Sequence, residues 1–271
     1  MTTTYAFALF LTVLLVYSLK AFRLYFLVSG EGVVFSKFLA AFSLTAFLNI
    51  VIPFKLGELF RFFVFGHLVK NYLKGFAVVL LDRFVDIVSL LFVFVIMKFL
   101  GQAEFSWIFF FLLFASVFLI LFYSALQNLL VFWNEYFIKS APSKRHLNAL
   151  AFLKNVSVVY GEVKNLISGR FFAIFTISVF SWGIEIASLV LCRRFFDFDS
   201  ENLVARYLSA ALTGKSFLPL ENFIRMSVIF LGAIFVISIL IVLLKGGLQF
   251  ASRTHKLNHR ARFWGEVKNE E

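Results

Sequence analysis

Seven ionisable residues stand in apolar surroundings. Residues 48–63 read LNIVIPFKLGELFRFF and place Lys55, Glu58 and Arg61 just after Pro53. Residues 78–91 read VVLLDRFVDIVSLL and carry Asp82, Arg83 and Asp86, and SWGIEIASL at 181–189 adds Glu185. Guanidinium and ammonium groups bind phosphate, Arg through a planar fork and Lys as a point charge. Carboxylates at i, i+4, as at Asp82 and Asp86, can hold Arg61 or Lys55, or a divalent metal with its diphosphate. Ionisable groups inside an apolar helix are expensive, so they pair or line a polar cavity. A buried ion-pair network that only pins the helices together accounts for the same residues as well as a substrate site does.

The elements that position this charge belong in lipid. Of 271 residues, 61% are hydrophobic and 15% charged, with 41 Phe and three Pro, and the mean hydropathy is +0.92. Soluble domains run to about 45–50% apolar and about 25% charged residues. An all-α polytopic membrane protein follows, as a single integral membrane domain over 1–271. The net charge of +11 comes from Lys and Arg in short connections between apolar runs, as the positive-inside tendency requires, and not from a nucleic-acid surface. The lone Cys192 excludes an internal disulfide or a CxxC motif. His255 and His259 sit in a basic tail without acidic partners, so no metal site or cofactor is expected.

Five stretches suit spanning helices: Tyr5–Leu19, Phe76–Leu100, Phe105–Leu126, Phe171–Leu191 and Met226–Leu244. Lys20, after the first, is expected to snorkel toward water. Two more apolar stretches are broken, Phe38–Ile52 by Pro53–Gly57, and Leu203–Leu218 by Arg206, Lys215 and Pro219. The basic 127–170 connection and the tail 245–271 are assigned to the cytoplasm, with the N-terminus outside. Phe38–Ile52 then begins and ends on one side. The expected fold has about five spanning helices plus two re-entrant broken helical hairpins, near 38–69 and 203–222, entering from opposite faces as an inverted pseudo-repeat. Pro53 ends one helix, and Gly57 opens the next with Glu58 in its first turn, a half-helix start suited to an anion. Within 127–170, HLNALAFLKNVSVVYGEVKNLIS spaces Leu147, Leu150, Leu153, Val156, Val159, Val163 and Leu166 at helical intervals. An amphipathic helix results, lying on the membrane surface or packed beneath the bundle.

Asn49, Pro53, Gly57, Glu58 and Arg61, then Asp82-Arg83 and Asp86, resemble the pattern N…P…GE..R, acidic-Arg and Asp of the lysylphosphatidylglycerol synthase transmembrane region, a flippase-like domain. Trp182 and Glu185 are similar to its W..E element, and Arg23 to a further arginine. The resemblance implies an N-terminus trimmed by one helix, and no soluble synthase domain after Leu244. The family's P…GG.G..E element is represented only by Pro219 and Glu221.

The leading expectation is a flippase-like transporter of the cytoplasmic membrane, not an enzyme. It would move an anionic phospholipid or lipid-linked glycan between leaflets, with Asn49, Pro53, Lys55, Gly57, Glu58, Arg61, Asp82, Arg83, Asp86 and Glu185 as substrate-site residues. Arg61 and Arg83 would hold phosphate. Alternatives are a non-catalytic membrane partner of an envelope glycosyltransferase or synthase, and a polyprenyl-phosphate-dependent transferase using Asp82 and Asp86.

Overall fold

The computed structural model describes residues 3–51, 57–100, 107–139, 144–192, 207 and 220–241, and every regular element among them is helical. In chain order these are α1 (Thr3–Val28), α2 (Phe35–Val51), α3 (Gly57–Leu68), α4 (Tyr72–Phe99), α5 (Trp107–Lys139), α6 (Lys144–Ile167), α7 (Phe171–Cys192) and α8 (Leu220–Ile241). Four of them, α1, α5, α7 and α8, are long and apolar enough to cross a membrane by length and composition. The 28 residues of α4 are long enough too, but Asp82, Arg83 and Asp86 interrupt its apolar surface. An all-α polytopic membrane fold is what these elements make.

One end of the bundle gathers several connections. Lys74 Nζ at the start of α4 lies 2.7 Å from Glu31 Oε1, just after α1, and 3.2 Å from Glu162 Oε2 on α6. Burial works against the Lys74 ammonium, but its hydrogen bonds to Glu31 and Glu162 prevail and raise its pKa above the ordinary lysine value. Arg170, before α7, donates to the Phe26 carbonyl at 3.4 Å. The end of α1, the start of α2, the start of α4 and the α6–α7 turn therefore share this end. The α2–α3 hairpin leaves it and returns to it. At ~1.5 Å per residue the 17 residues of α2 and the 12 of α3 reach only ~25 and ~18 Å, short of a hydrocarbon layer ~30 Å thick.

Close backbone approaches hold this hairpin. A Cβ on Gly57 would fall 2.5 Å from Asn49 Cα, and one on Gly75 would fall 2.5 Å from Gly66 Cα. Only glycine lets α3 lie so near α2 on one flank and α4 on the other. Between α3 and α4 the chain turns in three residues. Lys70 takes a left-handed φ of 57°, and the Asn71 side chain caps α4 by accepting from Lys74 N at 3.1 Å. Phe38, Phe42, Phe65, Val78 and Leu81 fill the space behind.

Three sequence expectations change. The first helix does not stop at Leu19; α1 runs to Val28 and carries Lys20 and Arg23 inside the bundle, because both find carboxylate partners there. Lys20 consequently does not snorkel. The 127–170 connection is largely continuous helix, since α5 extends to Lys139 before α6 begins. In α6 the face through Leu150, Leu153, Val156, Val159, Val163 and Leu166 is covered, with Val163 and Leu166 fully buried, while Leu147 and Phe152 face outward. The second broken stretch, Leu203–Leu218, lies outside the described residues apart from Tyr207, as do Pro53 and Lys55.

The hairpin geometry is tested by labelling. In a Cys192→Ser background, Ser36→Cys and Tyr72→Cys are expected to react with an impermeant thiol reagent from the same side of the membrane.

Candidate functional site

Arg23 is the hub of the polar interior. It is among the largest fully buried side chains, which an arginine tolerates only with its charge answered. One terminal nitrogen meets Asp82 Oδ1; the other meets Asp86 Oδ1 and the Ser178 hydroxyl, and Ser178 donates in turn to Asp86 Oδ1 at 3.3 Å. Spacing of four residues on α4 sets both aspartates on the face turned to α1. Arg61, from α3, brings Nη2 to 3.0 Å from Asp82 Oδ2 and lays its guanidinium against the Phe65 ring. Three helices are thus tied through one carboxylate that has no exposed surface.

At the edge of this cluster the environment opens. Arg83 contacts Glu58 through Nε at 3.1 Å and Nη2 at 2.9 Å, a two-pronged pair, and reaches Asp86 Oδ2 at 3.4 Å. Asn49 Nδ2 donates to the Glu58 carboxylate from across the α2–α3 break. The Arg83 side chain is 43% exposed and Glu58 26%, against 9% for Arg61 and none for Asp82. Arg83 is the accessible guanidinium of the three.

A second ionic centre lies about one turn away. Lys20 Nζ is 3.0 Å from Glu185 Oε2 and packs over the Trp182 and Tyr17 rings at 5.0 and 5.7 Å. Tyr207 donates its hydroxyl to Glu185 Oε1 at 2.6 Å. Among the described residues the cluster balances: Lys20, Arg23, Arg61 and Arg83 face Glu58, Asp82, Asp86 and Glu185.

Of the residues singled out in the sequence, Asn49, Gly57, Glu58, Arg61, Asp82, Arg83 and Asp86 come together in one cluster. Glu185 joins it through Lys20; Arg206 and Lys215, the partners expected from the sequence, lie outside the described residues. Asp82 and Asp86, readable as metal ligands, are both turned to guanidinium groups. The sequence reading gave Arg23 no role at the centre and left out Lys20, Ser178 and Tyr207. A signal existed for two of them: LKAFRLYFLV continues the apolar helix past Lys20 and Arg23, which sit three apart on one face.

Fold and site together define a helical membrane protein organised around a buried, charge-balanced ion cluster. Against known families, the profile described as Lysylphosphatidylglycerol synthase TM region matches residues 2–220, and the chain belongs to that family. No curated protein and no solved structure matches it.

The two exposed extremes of the cluster predict different costs. Arg61→Ala leaves Asp82 with one partner fewer in a sealed site and should lower stability by about 3–5 kcal/mol, whereas Arg83→Ala at the open edge should cost no more than about 1 kcal/mol. Unfolding of both variants in mixed micelles checks the contrast.

Proposed function

We propose that this protein translocates a lipid with an anionic phosphate headgroup between the leaflets of the cytoplasmic membrane, with its N-terminus outside and its C-terminus in the cytoplasm. The observation that carries the reading is the Arg83–Glu58 pair: an exposed two-pronged ion pair at the rim of a cluster whose other guanidinium groups are buried. Phosphate matches the fork of Arg83 as a carboxylate does. An arriving headgroup takes the place of Glu58 on Arg83, and Glu58 keeps its contact with Asn49. Arg23 and Arg61 act as positioning residues, holding α1, α3 and α4 in register around the contact. The short α2–α3 hairpin, reaching partway into the membrane and back, leaves a polar path beside it along which a headgroup moves while its acyl chains stay in lipid.

This makes the protein a transporter, not an enzyme, and its ligand an anionic phospholipid or lipid-linked sugar. The exposed apolar surfaces of α5, from Phe110 through Phe122, suit acyl chains. An envelope synthase docking there instead would need neither Arg83 nor Glu58.

In vesicles carrying the purified protein and fluorescent phosphatidylglycerol, Arg83→Ala is expected to slow leaflet exchange about tenfold to a hundredfold, the worth of ~1.5–3 kcal/mol of charge-assisted hydrogen bonding, while remaining folded. Exchange at the native rate in that variant would remove the assignment.

A further inference from the structure

The bundle contains polar atoms that the ion cluster does not use. Ser89 Oγ on α4, Ser181 Oγ on α7 and the Trp182 indole N–H are buried and have no hydrogen-bond partner among protein groups. Both serines are essentially without exposed surface. Elsewhere in the bundle, buried hydroxyls close on their own helix: Thr45, Ser116 and Ser227 donate to the carbonyl four residues back at 2.9, 2.8 and 2.7 Å. That is the ordinary way for a hydroxyl to survive in apolar surroundings. Ser89 and Ser181 have no such bond, and an unpaired buried hydroxyl is costly.

Their register explains what they face. α1 runs antiparallel to α4 and α7, as Lys74–Glu31 and Arg170–Phe26 fix at one end and Lys20–Glu185 further in. Ser89 lies one turn past Asp86, Ser181 and Trp182 one turn past Ser178, and Lys20 one turn from Arg23 in the same direction. The orphaned groups therefore stand at the level between the Arg23–Asp86–Ser178 cluster and the Lys20–Glu185–Tyr207 cluster. Buried water needs 2–4 polar partners, and this level supplies them.

We propose that α1, α4 and α7 enclose a water-bearing polar seam that carries protons from the level of Asp86 to Glu185, and that a proton on Glu185 accompanies each anionic headgroup. The second half rests on the translocase reading. Charge balance supplies the reason: the described cluster has four cations and four acids, so an entering phosphate leaves one negative charge unanswered. A proton from the aqueous medium, passed along the seam's water and bound on Glu185 Oε2, cancels it. Lys20 then gives up Glu185 and keeps the Trp182 and Tyr17 ring faces, and Tyr207 stays on Oε1. When the headgroup departs, Glu185 releases the proton along the seam to the medium and recovers Lys20. Among the described residues the titratable groups around Glu185 are Lys20 and Tyr17 from α1, Asp86 from α4 by way of Lys20, and Tyr207; from α8 the neighbouring polar group is the Ser227 hydroxyl.

Two measurements separate the halves. Infrared difference spectra of the protein in phosphatidylglycerol vesicles, recorded as pH falls, are expected to show a protonated carboxyl band that Glu185→Gln lacks and Arg83→Ala retains. Ser89→Ala combined with Ser181→Ala should keep the band but slow its appearance severalfold after a pH jump. Identical spectra for the native protein and Glu185→Gln, or an unslowed double variant, would overturn the relay. In the leaflet-exchange assay, native exchange should accelerate as pH falls on the headgroup's entry side, and Glu185→Gln exchange should not respond to pH. Exchange that is equally pH-dependent in both overturns the coupling. A Glu185-dependent band in a protein that moves no lipid would uphold the relay and reject the translocase.

Discussion

The fold depends on Arg23 being answered from two helices at once. A lone guanidinium in the middle of a hydrocarbon-embedded helix costs several kcal/mol, and neither Asp82 nor Asp86 would be tolerated there alone. Placed together, with Ser178 adding a hydrogen bond from α7, they fix the rotation of α1, α4 and α7 about their axes. Lipid offers little hydrophobic drive for helices to associate, so polar contacts of this kind and close backbone packing decide which faces meet. Here both are present, the first around Arg23 and the second at Gly57, Gly66 and Gly75.

That arrangement gives the broken hairpin its purpose. Neither α2 nor α3 reaches across the membrane, and each would leave polar backbone at its inner end without cover. Arg61 reaches from α3 to Asp82, and Asn49 reaches across the break to Glu58, so the hairpin's inner end is tied to the same charge that organises the long helices. The result is graded exposure: Asp82 sealed, Arg61 nearly so, Arg83 and Glu58 open. On the proposed function, stability sits at the closed end and ligand chemistry at the open end. A variant at one should be separable from a variant at the other.

The membrane class, the start of α3 at Gly57 and the helical apolar stripe of α6 were legible in residue order because each is a local signal. The spacing of Val156, Val159 and Val163 needs only one helix to be read, but it does not say whether that stripe lies on the membrane surface or is covered. Asp82, Asp86, Arg61 and Glu58 stood out as charges without local excuse. The true extent of α1 was not legible in the same way. Lys20 and Arg23 look like the end of a span unless their partners are known, and those partners lie 165 and 59 residues along the chain. Pairing across helices is a property of packing, and composition around one residue does not contain it. Glu185 shows the same limit, since a lysine from the first helix is its partner and nothing near it in the chain points to that lysine.

The central claim is that Arg23 and Asp86 are tolerated only as a pair. Equilibrium unfolding in mixed micelles of Arg23→Met, and of Arg23→Met combined with Asp86→Asn, tests it most directly. The account predicts that the single variant loses about 3–5 kcal/mol and that the double variant recovers most of the loss, because the remaining charges balance again. A single variant as stable as the native protein, or a double variant whose losses simply add, would contradict it.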